Sequence, residues 1–115
     1  MKYIFDDYIL EFKSKKEVPK KFPKEIDFKA IVNLKETKFV LRCRKEGDII
    51  QPFGMKGTMK FKKYLISKSV LQHKRDEILC LAKGNEIFWA IGVGLSEKIK
   101  VSKKSSYMIE LSKRG

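Results

Sequence analysis

Alternation is clearest in TKFVLRCR, where Phe39, Leu41 and Cys43 share one parity and Val40, Arg42 and Arg44 the other. A period of two marks a half-buried strand. The segment therefore predicts a strand with two arginines side by side on its solvent face. The opening YIFDDYILEF also reads as strand, with Tyr8, Leu10 and Phe12 alternating onto one face. KSKKEVPKKFPKE follows, charged and carrying Pro19 and Pro23. Proline removes a ladder donor and fixes φ, which predicts loop or sheet edge here. IDFKAIVNL is a weaker strand candidate.

The period changes in TMKFKKYLISK. Phe61, Tyr64 and Leu65 fall at i, i+3 and i+4, the spacing of a helix that docks one face on a core. Thr58, after Gly57, is the expected N-cap. Lys60, Lys63 and Ser67 fall on the other side, with Lys62 flanking. The preceding KEGDIIQPFGMKG is a long loop marked by Gly47, Pro52, Gly54 and Gly57. SVLQHKRDE reads as a short turn or a second helix. ILCLAK and EIFWAIG read as strands around a Lys83-Gly84-Asn85 turn. IFWAI is apolar throughout, as a central strand is. LSEKIKV and SYMIELSK complete the strand set, the latter with Tyr107, Ile109 and Leu111 alternating. The fold class expected is a β-rich α+β domain of about six strands and one or two short helices. The basic helix is expected to lie across an end or face of the sheets.

Length and hydrophobic content agree with this, since 115 residues with 43% hydrophobic can form one domain with its own core. The longest apolar run falls well short of the roughly 20 residues of a membrane span. Asp6 and Asp7 interrupt the apolar N-terminus, which makes it a poor export signal and predicts a cytoplasmic location. Net charge is +13 and the pI about 9.8. Such an excess suits nucleic acid or an anionic membrane. Nucleic acid is preferred here, although the lysine bias also suits plain solubility.

Enzymatic signatures are missing from the pattern. Cys43 and Cys80 form no CxxC and His73 is the one histidine, so about four zinc ligands at a recognisable spacing are not available. Both cysteines are expected as reduced strand residues. GMKGTMK lacks the lysine of a phosphate loop, and Gly92-Val93-Gly94 lacks the third glycine of a dinucleotide turn. No serine sits in a nucleophile elbow. Asp48, Asp76 and Glu97 read as caps or ion-pair members.

One feature changes the picture. Seven lysines and arginines lie between Asp48 and Asp76 with no acid among them. A solvated helix usually intersperses Glu with Lys. Glycines before a helix start, then lysines a turn apart, suit a line of phosphates. Phe61, Tyr64 and Trp89 sit at core parity and are assigned to packing rather than to base stacking.

The motifs RCRKEGD, PFGMKG, KFKKYLISK, KRD, IFWAIG and LSEKIKV occur in one order. In combination they resemble the C-terminal domain of bacterial tRNA(Ile)-lysidine synthetases, over about residues 40 to 101. The resemblance implies a β-sandwich-like module similar to one in the phenylalanyl-tRNA synthetase β subunit. It implies a parent ligase that joins lysine to the wobble cytidine of tRNA(Ile). ATP and Mg would act in an N-terminal catalytic domain, whose Ser-Gly-Gly-x-Asp-Ser loop is not in this sequence. This chain would be an accessory module without catalytic residue or cofactor of its own, with tRNA(Ile) and the catalytic domain as partners.

On that resemblance Arg42, Arg44, Lys56, Lys60, Lys62, Lys63, Lys68 and Arg75 are the expected RNA contacts. Gly47, Asp48, Pro52, Gly54 and Gly57 are the expected loop-shaping residues, with Asp48 capping or pairing with a cation such as Arg75. Residues 39–115 would form the domain, and residues 1–38 divergent strands and a connection packed on it or leading into it. The sequence departs from the family at Leu71 and Leu79, where proline is frequent, and at Gly94, where arginine is. The competing expectation is a docking module that meets another protein domain without touching RNA.

Overall fold

β-Branched and aromatic residues build two sheets, and a short helix packs on the second of them. The structure is a computed structural model and describes residues 2–5, 8–15, 29–32, 39–99 and 106–113. The first sheet holds β1 (Lys2–Phe5), β2 (Tyr8–Lys15), β3 (Lys29–Val32) and β10 (Ser106–Lys113) in the order β1-β2-β10-β3. All its pairings are antiparallel, and Tyr107, Ile109 and Leu111 stand opposite Ser14, Phe12 and Leu10. The opening stretch is thus two strands rather than one. The proline-bearing segment around Pro19 and Pro23 lies outside the described residues.

The second sheet carries the order β4-β7-β8-β5-β6, from β4 (Val40–Cys43), β7 (Leu79–Lys83), β8 (Glu86–Ala90), β5 (Ile49–Ile50) and β6 (Met59–Lys60). The two-residue β9 (Gly94–Leu95) pairs with β8. β7 and β8 are joined at Gly84-Asn85, as the turn residues predict. β8 is central and buried on both faces, which is why its sequence shows no alternation. LSEKIKV is not a strand along its length. After Leu95 the Ser96 amide donates to the Phe88 carbonyl (2.8 Å) and the Glu97 amide to the Gln51 carbonyl (2.9 Å). These bonds draw the chain across to the 51–57 loop, and Glu97–Ile99 closes as a 3-10 turn with Ile99 buried.

Apolar residues cover both faces of this sheet. One cluster holds Phe39, Leu41, Leu79, Leu81, Phe88, Trp89, Ile91 and Ile99. The other holds Ile50, Cys80, Ala82, Ile87 and Ala90 beneath α1 (Phe61–Ser67). The helix buries Phe61, Tyr64 and Leu65 there, as the 3.6-residue period predicts. SVLQHKRDE contributes a 3-10 helix, Gln72–Glu77, with no buried residue. Among the described residues no helix is long and apolar enough to cross a membrane.

Candidate nucleic-acid interface

Arg42 and Asp48 set the local geometry. Leu41 turns into the core, so Arg42 points to the other face, yet its side chain is only 13% exposed. It does not stand on open solvent beside Arg44. Its two terminal nitrogens donate to the Asp48 carboxylate at 2.9 and 2.8 Å, a bidentate pair. They also donate to the Cys43 and Gly84 carbonyls at 3.0 and 2.9 Å. The hydrogen bond to Asp48 raises the Arg42 pKa above its ordinary value, with partial burial opposing it. Asp48 further accepts the Lys45 amide (2.7 Å), and its carbonyl accepts the Phe61 amide (2.9 Å). One ion pair thus ties β4, the 44–48 turn, the β7–β8 turn and the start of α1. Gly47 makes that turn possible at φ +88°.

Asp48 therefore pairs with Arg42 and not with Arg75, whose Nε donates to the Val70 carbonyl at 3.1 Å. Arg44 reaches Asp76 of the 3-10 helix at 2.9 Å and stays partly exposed. All three arginines expected on phosphates donate hydrogen bonds inside the domain, and of them Arg44 alone also lines the groove described next.

The 51–57 loop is held at several points. Pro52 is buried and bridges to Ser96. The Met55 amide donates to the Pro52 carbonyl (3.0 Å) with Gly54 at φ +84°, the pattern of a type II turn. The Gly54 amide donates to Glu97 Oε2 (2.8 Å) and Gln51 Nε2 donates to the Met55 carbonyl (2.7 Å). Gly54 thus acts as a shape residue. At Gly57 neither a left-handed φ nor a close neighbour calls for glycine.

The helix begins later than Thr58 suggests. Met59–Lys60 is drawn into a ladder with Ile49–Ile50, leaving Lys60 as N-cap with no side-chain cap bond. The seven-residue helix spends its first amide on the Asp48 carbonyl. No glycine-and-amide cradle for an anion forms there. What remains is side-chain charge. Lys56, Lys60, Lys62, Lys63 and Lys68 are all exposed, and among the described residues none enters an ion pair. Lys68 lies over the Tyr64 ring at 5.7 Å.

Between the 44–49 turn and the start of α1 runs a groove of about 420 Å³. Arg44, Lys45, Lys60 and Lys62 bring four cations to it, with Glu46 among the lining residues. An adjoining recess is formed by Arg44, Glu46, Lys62 and Asp76. Lys56, Lys63 and Lys68 lie outside both linings. Lys45 was not singled out from the sequence. Its position beside Gly47 in a tight turn that faces the helix start was the available sign.

The groove can hold anions but has no nucleophile with a base. Among the described residues no group of three or more metal-ligating side chains occurs, and His73 is exposed. Cys80 is fully buried, and burial pushes its thiol up to about 12. The folded thiol stays neutral where the unfolded one, near 9, ionises. The unfolded state then binds fewer protons, so stability falls as pH rises above about 9. This group contributes a slope of about 1.4 kcal/mol per pH unit between those limits. Urea unfolding at stepped alkaline pH is expected to show a shallower decline for Cys80→Ala than for the parent chain. Equal declines would assign the alkaline loss to other groups.

Three comparisons bear on this architecture. Residues 39–111 match the family described as the TilS substrate C-terminal domain. A tRNA(Ile)-lysidine synthase of Caldanaerobacter subterraneus is 40% identical over 61% of this chain and 15% of its own length. One from Clostridium perfringens is 34% identical over 83% of this chain and 19% of its own. One from Persephonella marina is 33% identical over 93% and 22%. The chain thus spans about a fifth or less of the first two relatives' length. A crystal structure of a TILS C-terminal domain superposes with a TM-score of 0.69, at 18% identity, over 95% of this chain and 86% of that one. That likeness shows a shared α+β fold. With the matched stretch running from Phe39, just before β4, into β10, the chain belongs to the TilS substrate C-terminal domain family.

Proposed function

We propose that this chain is the tRNA-holding C-terminal module of a tRNA(Ile)-lysidine synthase. The parent would join lysine to the wobble cytidine of tRNA(Ile), with ATP and Mg handled by a separate catalytic domain in the cytoplasm. Residues 1–38 belong to the module through their strands, and this chain supplies no catalytic residue. The observation that carries the reading is the set of five exposed lysines that enter no ion pair among the described residues, all within the acid-free stretch. Unpaired surface cations cost little alone, and they release counterions when a phosphate line replaces their solvent.

The contacts assigned are Lys60 and Lys62 in the groove with Arg44 and Lys45, and Lys56, Lys63 and Lys68 around it. Arg42, Asp48 and Arg75 hold the shape of this surface. Arg44 exchanges its exposed partner Asp76 for phosphate at small cost, because exposed pairs are worth about 0–1 kcal/mol. Docking on the catalytic domain is a second reading. Ile66 and Leu71, 50% and 62% exposed, favour it.

Titration with a tRNA(Ile) transcript at stepped salt tests the main reading. If about five phosphates are neutralised, log K is expected to fall against log salt with a slope of roughly −4. Absence of binding at low salt would overturn it in favour of docking.

A further inference from the structure

The groove that brings Arg44, Lys45, Lys60 and Lys62 together is also lined by Glu46 and Asp48, and the adjoining recess by Glu46 and Asp76. Two of these three acids are occupied within the domain. The Asp48 side chain is 2% exposed and accepts the Arg42 fork and the Lys45 amide. Asp76 accepts Arg44 Nε. Glu46 differs from both. It is exposed and lines both hollows, and among the described residues its carboxylate enters no hydrogen bond or ion pair. Its place on the turn is set beforehand. The Asp48 amide donates to the Lys45 carbonyl at 3.2 Å, and Gly47 supplies the left-handed residue.

A free carboxylate is a poor neighbour for phosphate, since like charges brought together oppose binding. It also accepts hydrogen bonds and donates none. Lining a phosphate groove, it either weakens the site or meets a donor that the ligand carries beside its phosphates. RNA carries such a donor on every ribose. The shallow minor groove of an A-form helix displays 2′-hydroxyls alongside the phosphate line, and DNA has no hydroxyl at that place. Four cations with one unoccupied acceptor among them match that edge. An acidic side chain holds a ribose 2′-OH in the same way in dinucleotide-binding folds.

We propose that Glu46 accepts a hydrogen bond from a ribose 2′-OH whose neighbouring phosphates lie on Arg44, Lys45, Lys60 and Lys62. This rests on the RNA-holding reading above and deepens it. The cations alone hold any phosphate backbone, whereas Glu46 makes the groove select ribose.

The test uses the whole chain and two hairpins of one sequence, one of RNA and one with 2′-fluoro in place of every 2′-OH. Fluorine keeps the A-form sugar and the phosphates but donates no hydrogen bond. The parent chain is expected to bind the RNA hairpin roughly 10-fold more tightly, the low end for a hydrogen bond to a charged group. Glu46→Ala is expected to bring the two affinities together, weakening the RNA hairpin without weakening the fluorinated one. Glu46→Gln keeps an acceptor oxygen and is expected to retain part of the preference. Glu46→Ala tightening both hairpins equally would make Glu46 an ordinary repelling acid and overturn the proposal. A preference for RNA that survives Glu46→Ala would assign the hydroxyl to another group and also overturn it. Equal binding of both hairpins by the parent chain would overturn it while leaving the RNA-holding reading in place. Failure of the parent chain to bind either hairpin at low salt would overturn both readings together.

Discussion

Arg42→Met is expected to cost about 3 kcal/mol of folding stability and roughly 10–20 °C in Tm, measured by urea and thermal unfolding. Removing the guanidinium leaves the Asp48 carboxylate, 2% exposed, with the Lys45 amide as its remaining hydrogen-bond partner among those described. A buried charge without its counter-charge is the costly case, more than loss of the pair as a whole. The Cys43 and Gly84 carbonyls lose their donor as well. Arg42→Lys is expected to recover only part, because an ammonium cannot make the parallel pair of bonds. The double variant Arg42→Met with Asp48→Leu should lose less than Arg42→Met alone, since it strands no charge. A double variant as damaged as the sum of its singles would mean that the two residues act independently.

Replacing Lys60, Lys62 and Lys63 together with Ala should do the reverse, sparing the fold and disabling the surface. All three side chains are exposed, and the helix's buried Phe61, Tyr64 and Leu65 are untouched. Stability is expected to move by no more than about 0.5 kcal/mol. For tRNA binding, three lost phosphate contacts should flatten the log K against log salt slope by about 2 to 3. If release of counterions is the whole contribution, a slope change of 2 over the decade from 1 M to 0.1 M salt is about 100-fold in affinity at the lower end. An unchanged slope would remove α1 from the interface.

Much of this architecture was legible in local pattern. The parity of Phe39 and Leu41, the i, i+3, i+4 spacing of Phe61, Tyr64 and Leu65, and the unbroken apolar run through Trp89 each report burial, and each is buried. The resemblance in the residues from Arg42 onward led to the family that the comparisons show. Long-range partners were not legible. Arg42 and Arg44 have the same parity, and nothing local says that Asp48 will fold back on one and Asp76 on the other. Thr58 has the chemistry of a cap, but pairing of Met59–Lys60 with Ile49–Ile50 holds the chain extended past it. Phe53 stands exposed at a loop apex, where between Pro52 and Gly54 it takes the second place of a type II turn.

The first sheet has a consequence for where this protein can be divided. β10 is one of its two inner strands, flanked by β2 on one side and β3 on the other. The stretch recognisable as a family member, residues 39–111, contains most of β10 and neither of its flanks. Cut to that stretch, the protein would carry an inner strand with two bare edges, an open invitation to pair with another copy. The residues outside the family match are thus the ones that supply both neighbours of that strand.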